Sequence, residues 1–432
     1  MLQRFQLEEQ HTTLRTEAVG GLTTFLSMAY ILFVNPSILG VAGMDENAVF
    51  VATGIASAIG CLVMGLWARY PIALAPGMGL NAFFAYTVVL TMGIPWEVAL
   101  AGTLVSGVLF LILAVSGIRE MIINAIPSQL KLAVGAGIGL FIAFIGLQNA
   151  GIVVADEATM VSLGELGEPD SLLAIFGVVV TALFLIRKIS GAVFYGIVLT
   201  ALAGVVVGHI PLPEGVVSGV PSLAPTFGQA IVSLPEIFTV QMAVVIFSFL
   251  FVDFFDTAGT LIAVAHQGGF MKDDKLPRAN RALASDSVAT ISGSILGTST
   301  TTSYIESTTG IAAGARTGLA SVVVAGLFLL SMFFSPLLGV VTAAVTAPAL
   351  IVVGVLMASG LGDIEWKDMT VAIPAFVTVI AMPLTYSIAT GIALGLVLYP
   401  LMKAFKGEFR TVHPIMYGLF VVFVAYFIWL VE

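Results

Sequence analysis

The sequence predicts an all-α polytopic membrane protein of fourteen transmembrane segments, arranged as two inverted repeats of seven with segments 3 and 10 broken. Three observations predict it. Hydrophobic residues make up 59% of the 432 and charged residues only 9%, a balance outside the range of soluble enzymes. Apolar windows recur along the whole chain at about the 17 to 25 residues that a helix needs to cross the hydrocarbon core. When those windows are counted as spans, every Lys and Arg falls on one side, as the positive-inside rule requires of the cytoplasmic face.

Taken in order, the first seven segments lie near residues 17–40, 48–68, 72–90, 97–116, 130–150, 171–187 and 190–209. The second seven lie near 242–265, 282–298, 299–314, 317–339, 343–359, 370–385 and 388–403. The repeats then occupy residues 1–236 and 237–410, followed by a hydrophobic tail, 411–432, whose stretch 417–431 is expected to lie on or cross the membrane. An odd number of spans per repeat forces the second to enter with opposite orientation, the mark of an inverted-topology repeat. The start, MLQRFQLEEQHTTLRTEA, lacks a short apolar core with a cleavage site, so no signal peptide is expected.

Charge tests the parse. With the amino terminus inside, all 16 basic residues are cytoplasmic, whereas the connections 151–170 and 210–236 carry seven acids and no Lys or Arg. The net charge of −9 thus reflects acidic outer loops, and no basic patch for nucleic acid is present. One cysteine, Cys61, excludes an internal disulfide, and the four histidines fall at or beyond span ends, so a metal site is not expected. Nor does a nucleophile stand with a base or metal-ligand spacing, so the chain is not read as an enzyme. The run DDK at 273–275 reads as a solvated cytoplasmic loop.

Two short spans do not read as continuous helices. In ALAPGMGLNAFFAY, 73–86, Pro76 lacks an N–H and Gly77 and Gly79 favour a break. In GTSTTTSYIESTTGIAAG, 297–314, Thr298 to Ser303 is a β-prone polar run that lipid would leave unsatisfied. Each is expected to be an extended piece leading into a half-helix, with the two half-helix amino termini meeting near the midplane and their free N–H groups able to bind an acceptor-rich ligand. Asn81 and Glu306 sit at those termini, as binding groups or as helix caps.

The costliest feature is a pair of acids. Asp253 and Asp256 lie inside Val244 to Ala265, a run with no other charge. A carboxylate at the bilayer centre costs about 2.5 to 3.5 kcal/mol on insertion scales, so such acids are read as functional unless packing alone needs them. At a spacing of three they share one helix face.

GLTTFLSMAYILFVNPSIL at 21–39, APGMGLNAFFAYTVV at 75–89, FLFVDFFDTAGTLIAVA at 249–265 and GTSTTTSYIESTTGIAAGARTGL at 297–319 closely resemble the azaguanine-type guanine/hypoxanthine/adenine permeases, a group within the nucleobase:cation symporter-2, or xanthine/uracil permease, superfamily. The resemblance runs through residue 406. It implies a core domain of segments 1 to 4 and 8 to 11, a gate domain of segments 5 to 7 and 12 to 14, and proton-coupled uptake of hypoxanthine, guanine or adenine. It also implies that Asp253 and Glu306 bind the base, that Asn81 is the third-segment polar residue, and that Asp256 modulates transport. The candidate substrate contacts are therefore Asp253, Glu306, Asn81, Tyr304, Phe83 and Thr24, and the candidate proton-coupling groups are Asp253, Glu306 and Asp256.

The chemistry agrees with the resemblance. A purine base is a flat, neutral heterocycle with N–H donors and ring acceptors, so a carboxylate can accept from it while helix N–H groups donate to it. Phe25, Tyr30, Phe83, Phe84, Phe251, Phe254, Phe255 and Tyr304 offer stacking faces, and spacing alone does not decide which are used. An acid in an apolar core can take up and release a proton, so the proton is the coupling ion and no cofactor is expected. The reading is a proton-coupled purine importer working by alternating access in the plasma membrane, amino terminus inside, with a uracil, xanthine or urate permease of the same superfamily as the alternative. Its partners are the base, the bilayer and, through the gate domains, a second copy.

Overall fold

In a computed structural model, residues 5, 7–118, 122, 125–213, 215–271 and 276–429 are described, and the run 273–275 lies outside them. Most of these residues are helical. Among them, nine helices are long and apolar enough to cross a membrane, and further apolar helices of 10 to 17 residues include Met78–Thr91, Ala192–Val206 and Met369–Thr385.

The chain opens with α1 (Leu14–Met28), capped by Thr13, whose hydroxyl accepts from the Thr16 N–H at 3.2 Å. A tightened turn at Ala29 and Tyr30, still helical in φ and ψ, joins α1 to α2 (Ile31–Val41) in one span, Leu14–Val41. Asp45 caps α3 (Glu46–Val63), which ends in a wider π turn, Met64–Ala68. Strand β1 (Leu74–Pro76) then leads into α4 (Met78–Ala82), continued by a π-helical stretch, Phe83–Thr91. After α5 (Trp96–Ser116) come α6 (Ser128–Asn149), α7 (Pro169–Ile186), α8 (Ala192–Val206) and the short α9 (Gln229–Val232). The connection before α7 carries a hairpin, β2 (Val153–Asp156) with β3 (Met160–Leu163).

The second half opens with α10 (Val240–Gln267), again capped by a threonine, Thr239. It continues with α11 (Ala279–Leu296), strand β4 (Thr301–Ser303), α12 (Ser307–Ala312) and α13 (Gly318–Ser331). It closes with α14 (Ala343–Ala358), α15 (Met369–Thr385), α16 (Ile388–Phe405) and α17 (Pro414–Trp429). The chain is thus mostly helical, and the extended pieces expected before the two half-helices are β1 and β4, where a Pro-bearing segment and a polar threonine run satisfy their backbones by pairing. The hairpin β2–β3 in the connection before α7 was not expected.

Helices α1, α3, α5, α10, α11, α12 and α13 pack chiefly on one another, and α6, α7, α8, α14, α15 and α16 do the same. Small residues let the second group close up. Gly139 on α6 and Gly354 on α14 touch so nearly that a Cβ on Gly354 would stand 2.4 Å from the Gly139 carbonyl oxygen. In the first group the buried Glu17 of α1 accepts from the backbone N–H groups of Arg316 and Thr317, at 2.8 and 3.3 Å, and so ties α1 to the start of α13. The tail helix α17 is held by Phe423, whose ring meets Phe247 at 5.6 Å and Phe251 at 4.8 Å, on α10.

Candidate functional site

The site grows from one ladder. β1 and β4 run antiparallel with Leu74 opposite Ser303, Ala75 opposite Thr302 and Pro76 opposite Thr301. Because the strands oppose each other, α4 leaves one end of the ladder and α12 the other, so two helix starts are set about the short strand pair. The expectation of free N–H groups at both helix starts is corrected at α12, where Ser307, Thr308 and Thr309 donate to the carbonyls of Tyr304, Ile305 and Glu306 at 3.0 to 3.1 Å, a tight turn that satisfies them locally. Gly77 makes the turn into α4. A Cβ there would stand 2.6 Å from Thr302 Cγ2 and 3.3 Å from Asp256 Oδ2, so only a glycine lets this backbone approach the acid.

Asp253, on α10, is buried. One helical turn on, the buried Thr257 Oγ1 lies 3.1 Å from Asp253 Oδ1, 2.7 Å from Asp286 Oδ2 and 2.9 Å from Thr302 Oγ1. Thus α10, α11 and β4 meet at a single hydroxyl. Asp256 is half-buried beside Thr302 and within electrostatic reach of Asp286 and Glu306. Glu306 starts α12, yet its side chain makes no capping bond to that helix. Instead its Oε1 accepts from the hydroxyl of Tyr30, at 2.5 Å, at the turn between α1 and α2.

The ladder also gathers Asn81. It is fully buried on α4, its Oδ1 accepts from the Ser299 hydroxyl, and its Nδ2 has no hydrogen-bond partner among the described residues. A buried amide left short of an acceptor costs about 1 to 3 kcal/mol, which a bound acceptor would recover. Over the first turn of α4 lie apolar side chains of the other helix group: a Cβ on Gly79 would meet Ile138 at 2.7 Å and Ile388 at 3.3 Å.

The remaining candidates sit further off or are otherwise engaged. Tyr304 is buried along β1, its hydroxyl donating to the Pro76 carbonyl at 2.5 Å. Phe83 packs edge-to-face on Phe249, at 5.2 Å, one turn before Asp253. Thr24 is buried between α1 and α12, where a Cβ on Gly310 would stand 2.1 Å from its Oγ1. Phe25 pairs with Phe328 at 5.2 Å, and Phe254 and Phe255 pair with each other, so these rings are packed in the helix bundle.

Sequence reasoning missed Asp286. This acid is fully buried on α11, four residues inside a span expected at 282–298, and it is not among the candidates singled out from the sequence. The signal that marked Asp253, an acid inside a span almost free of other charge, was present there too, since 282–298 carries no other charge.

A bundle of apolar helices that encloses a cluster of acids beside a short strand pair, with a short helix leaving each end, is the build of a multi-pass membrane transporter. The chain belongs to the Permease family, whose model matches residues 15–394. It is 59% identical to the guanine/hypoxanthine permease PbuG of Bacillus subtilis, over 99% of each chain. It is 47% identical to the adenine permease AdeP of Escherichia coli, over 96% of this chain and 93% of that one. Among solved structures, the transmembrane domain of the cyanobacterial bicarbonate transporter BicA shares the fold, with a TM-score of 0.65 at 15% identity over 89% of this chain and 97% of that chain. The murine anion transporter Slc26a9 in its inward-facing state does so with a TM-score of 0.62 at 11% identity, over 91% of this chain and 69% of that one.

Proposed function

We propose that the chain imports purine nucleobases, hypoxanthine, guanine and adenine, together with protons. The observation that carries the reading is the convergence of Asp253, Asp256, Asp286, Glu306 and the partnerless amide of Asn81 on one strand pair. Carboxyl oxygens accept from ring N–H groups, while the Asn81 amide and the first N–H groups of α4 donate to a carbonyl or ring nitrogen. The fold neighbours are named for bicarbonate and anion transport, but four acids in one site oppose an anion and suit a neutral base. The names of the relatives support the same solute.

Hydrogen counting supports the proton. Thr257 has one hydrogen to donate and is bonded to three oxygens, those of Asp253, Asp286 and Thr302. Its hydrogen serves the Asp253 and Asp286 carboxyls, while Thr302 also bonds Asp256. A proton on either carboxyl would add a second hydrogen that the Thr257 oxygen can accept. A proton held there enters with the neutral base, and the pH gradient and the membrane potential then both drive uptake.

The architecture in this reading is fourteen segments in two inverted repeats, residues 1–236 and 237–410. Segments 3 and 10 are formed by β1 with α4 and by β4 with α12. The packing of the helices in two groups supports a core of segments 1 to 4 and 8 to 11, moving against a gate of segments 5 to 7 and 12 to 14. The chain is read in the plasma membrane with its amino terminus inside.

The test is uptake of labelled hypoxanthine by a purine-transport-deficient cell at two external pH values, with guanine, adenine, xanthine, uracil and urate as competitors. Uptake that rises at the lower pH and is competed by guanine and adenine is the expected result. If xanthine, uracil or urate competes and the purines guanine and adenine do not, the substrate class is wrong. Asp253→Asn should abolish uptake while the protein stays in the membrane.

A further inference from the structure

We infer that Tyr30 is the residue that positions Glu306 for its ligand, and that without the Tyr30 hydroxyl the acid of α12 binds base and proton poorly. The inference rests on the reading of Glu306 as a base- and proton-binding group and adds the residue that makes it one.

Glu306 stands at the first turn of α12, where its side chain caps no later N–H of that helix and meets only its own backbone N–H. A glutamate has three rotatable bonds, and a free one spreads over several rotamers. The fixed partner is on another element: Tyr30 donates to Oε1 at 2.5 Å, from a position 276 residues earlier in sequence. The bond is short, as charge-assisted O–H to carboxylate bonds are.

Tyr30 is itself held rigidly. It is fully buried, and it sits at the tightened turn that joins α1 to α2. The two helices it joins to the acid are locked beside it. Ser27 Oγ lies 3.0 Å from Thr309 Oγ1, one turn away on each partner, and a Cβ on Gly20 would stand 2.9 Å from the Gly310 carbonyl oxygen. The other tyrosine near the acid does not compete for this role, since the Tyr304 hydroxyl is bonded to the Pro76 carbonyl. With Oε1 bonded to the buried Tyr30, the direction of the whole carboxyl, its second oxygen Oε2 included, is set from outside α12.

The experiment compares Tyr30→Phe, Glu306→Gln and the parent for hypoxanthine uptake over a range of external pH, normalised to the amount of protein in the membrane. Phenylalanine keeps the ring and its packing and removes only the donor. For Tyr30→Phe we expect KM to rise on the order of tenfold, the usual scale for losing a hydrogen bond to a charged group. The pH profile of uptake should move to higher pH, because the bond that is lost serves the ionised carboxyl and not the protonated one. A purely structural role would instead lower the amount in the membrane or Vmax and leave KM and the pH profile as in the parent, which would overturn the inference. If Glu306→Gln transports normally, the reading of Glu306 itself falls. If Glu306→Gln is dead and Tyr30→Phe matches the parent, only the positioning role falls.

Discussion

A single hydroxyl carries much of the site's burden. Thr257 is bonded to Asp253, Asp286 and Thr302, and all four residues are buried, so removing its hydroxyl takes one hydrogen-bond partner from both acids at once. Thr257→Val keeps the shape and loses the hydroxyl, and uptake should fall at least tenfold, since each buried group left unsatisfied costs about 1 to 3 kcal/mol. Thr257→Ser restores the hydroxyl and should restore most of the uptake; a serine variant as poor as the valine variant would show that the methyl group mattered instead. Asp286→Asn tests the acid that the sequence reading passed over, and it should depress uptake as strongly as Asp253→Asn, measured per molecule in the membrane. Part of this was legible in the sequence. Asp253 and Glu306 announce themselves because a charge in an apolar or dipole-rich segment is expensive. The bond from Tyr30 to Glu306 could not be read, because it joins residues 276 apart and depends on how two distant elements face each other.

Turns decide whether the elements reach the site. Gly297 closes α11 at φ +105°, and a Cβ there would also stand 2.1 Å from Thr226 Cβ, in the connection that folds over the end of α11. Gly297→Ala therefore meets both backbone strain and a clash just before the Thr298 to Ser303 run. The thermal midpoint of the solubilised protein should drop, by an amount matching roughly 1 to 3 kcal/mol of strain, and an unchanged midpoint would mean that β4 enters some other way. The β-prone run itself was legible as an extended piece, since threonines favour a pleated backbone. The hairpin of β2 and β3 was not, because its turn is made by Asp156 accepting from the N–H groups of Ala158 and Thr159, and an acidic connection gives little apolar alternation to read. A second element-scale device is the ion cluster joining the start of α15 to the end of α16. Lys403 lies 2.8 Å from Glu408, Lys406 lies 3.0 Å from Glu408 and 3.5 Å from Asp368. Bonds from Lys403 and Lys406 hold the Glu408 carboxyl below its ordinary value, and the Thr370 hydroxyl and N–H do the same for Asp368. Both values are depressed on folding, so their contribution is present above the ordinary carboxylate range, about pH 4, and is lost as pH falls through the lowered values. Glu408→Gln should flatten the fall of the thermal midpoint over that acid range, and high salt should flatten it in the parent.

In the proposed orientation and division, contacts between the two helix groups on the side away from the cytoplasm must break once per cycle. One set of contacts between the groups lies around Tyr386. Thr87, beyond α4, donates to the Tyr386 carbonyl at 2.7 Å, and its neighbour Tyr86 faces Asn149 at the end of α6. Tyr386 is in the left-handed region, at φ +53°, where a bulky residue is strained, and its hydroxyl donates to Gln148 at 2.5 Å. Its ring is enclosed by Tyr86, Phe141 and Phe144, at 5.3 to 6.0 Å. In the proposed division, Tyr86 and Thr87 belong to the core and the others to the gate, so this cluster closes the outer path above Ile138 and Ile388. Apolar windows and charge asymmetry are legible in a sequence because they are one-dimensional; contacts that close a path are not, since they depend on bonds from segment 3 to segment 5 and to the turn at Tyr386 between segments 13 and 14. The prediction uses the single cysteine. In a Cys61→Ala background carrying Ile138→Cys, an impermeant thiol reagent added outside should label the site slowly. Adding Thr87→Val and Tyr86→Phe removes the two bonds that cross between the groups, and labelling should speed up several-fold, about the effect of shifting an equilibrium by 1 to 2 kcal/mol. Hypoxanthine should slow it again. Equal labelling with and without the latch residues would place the outer closure elsewhere and leave Tyr386 as a packing residue held in an unusual conformation.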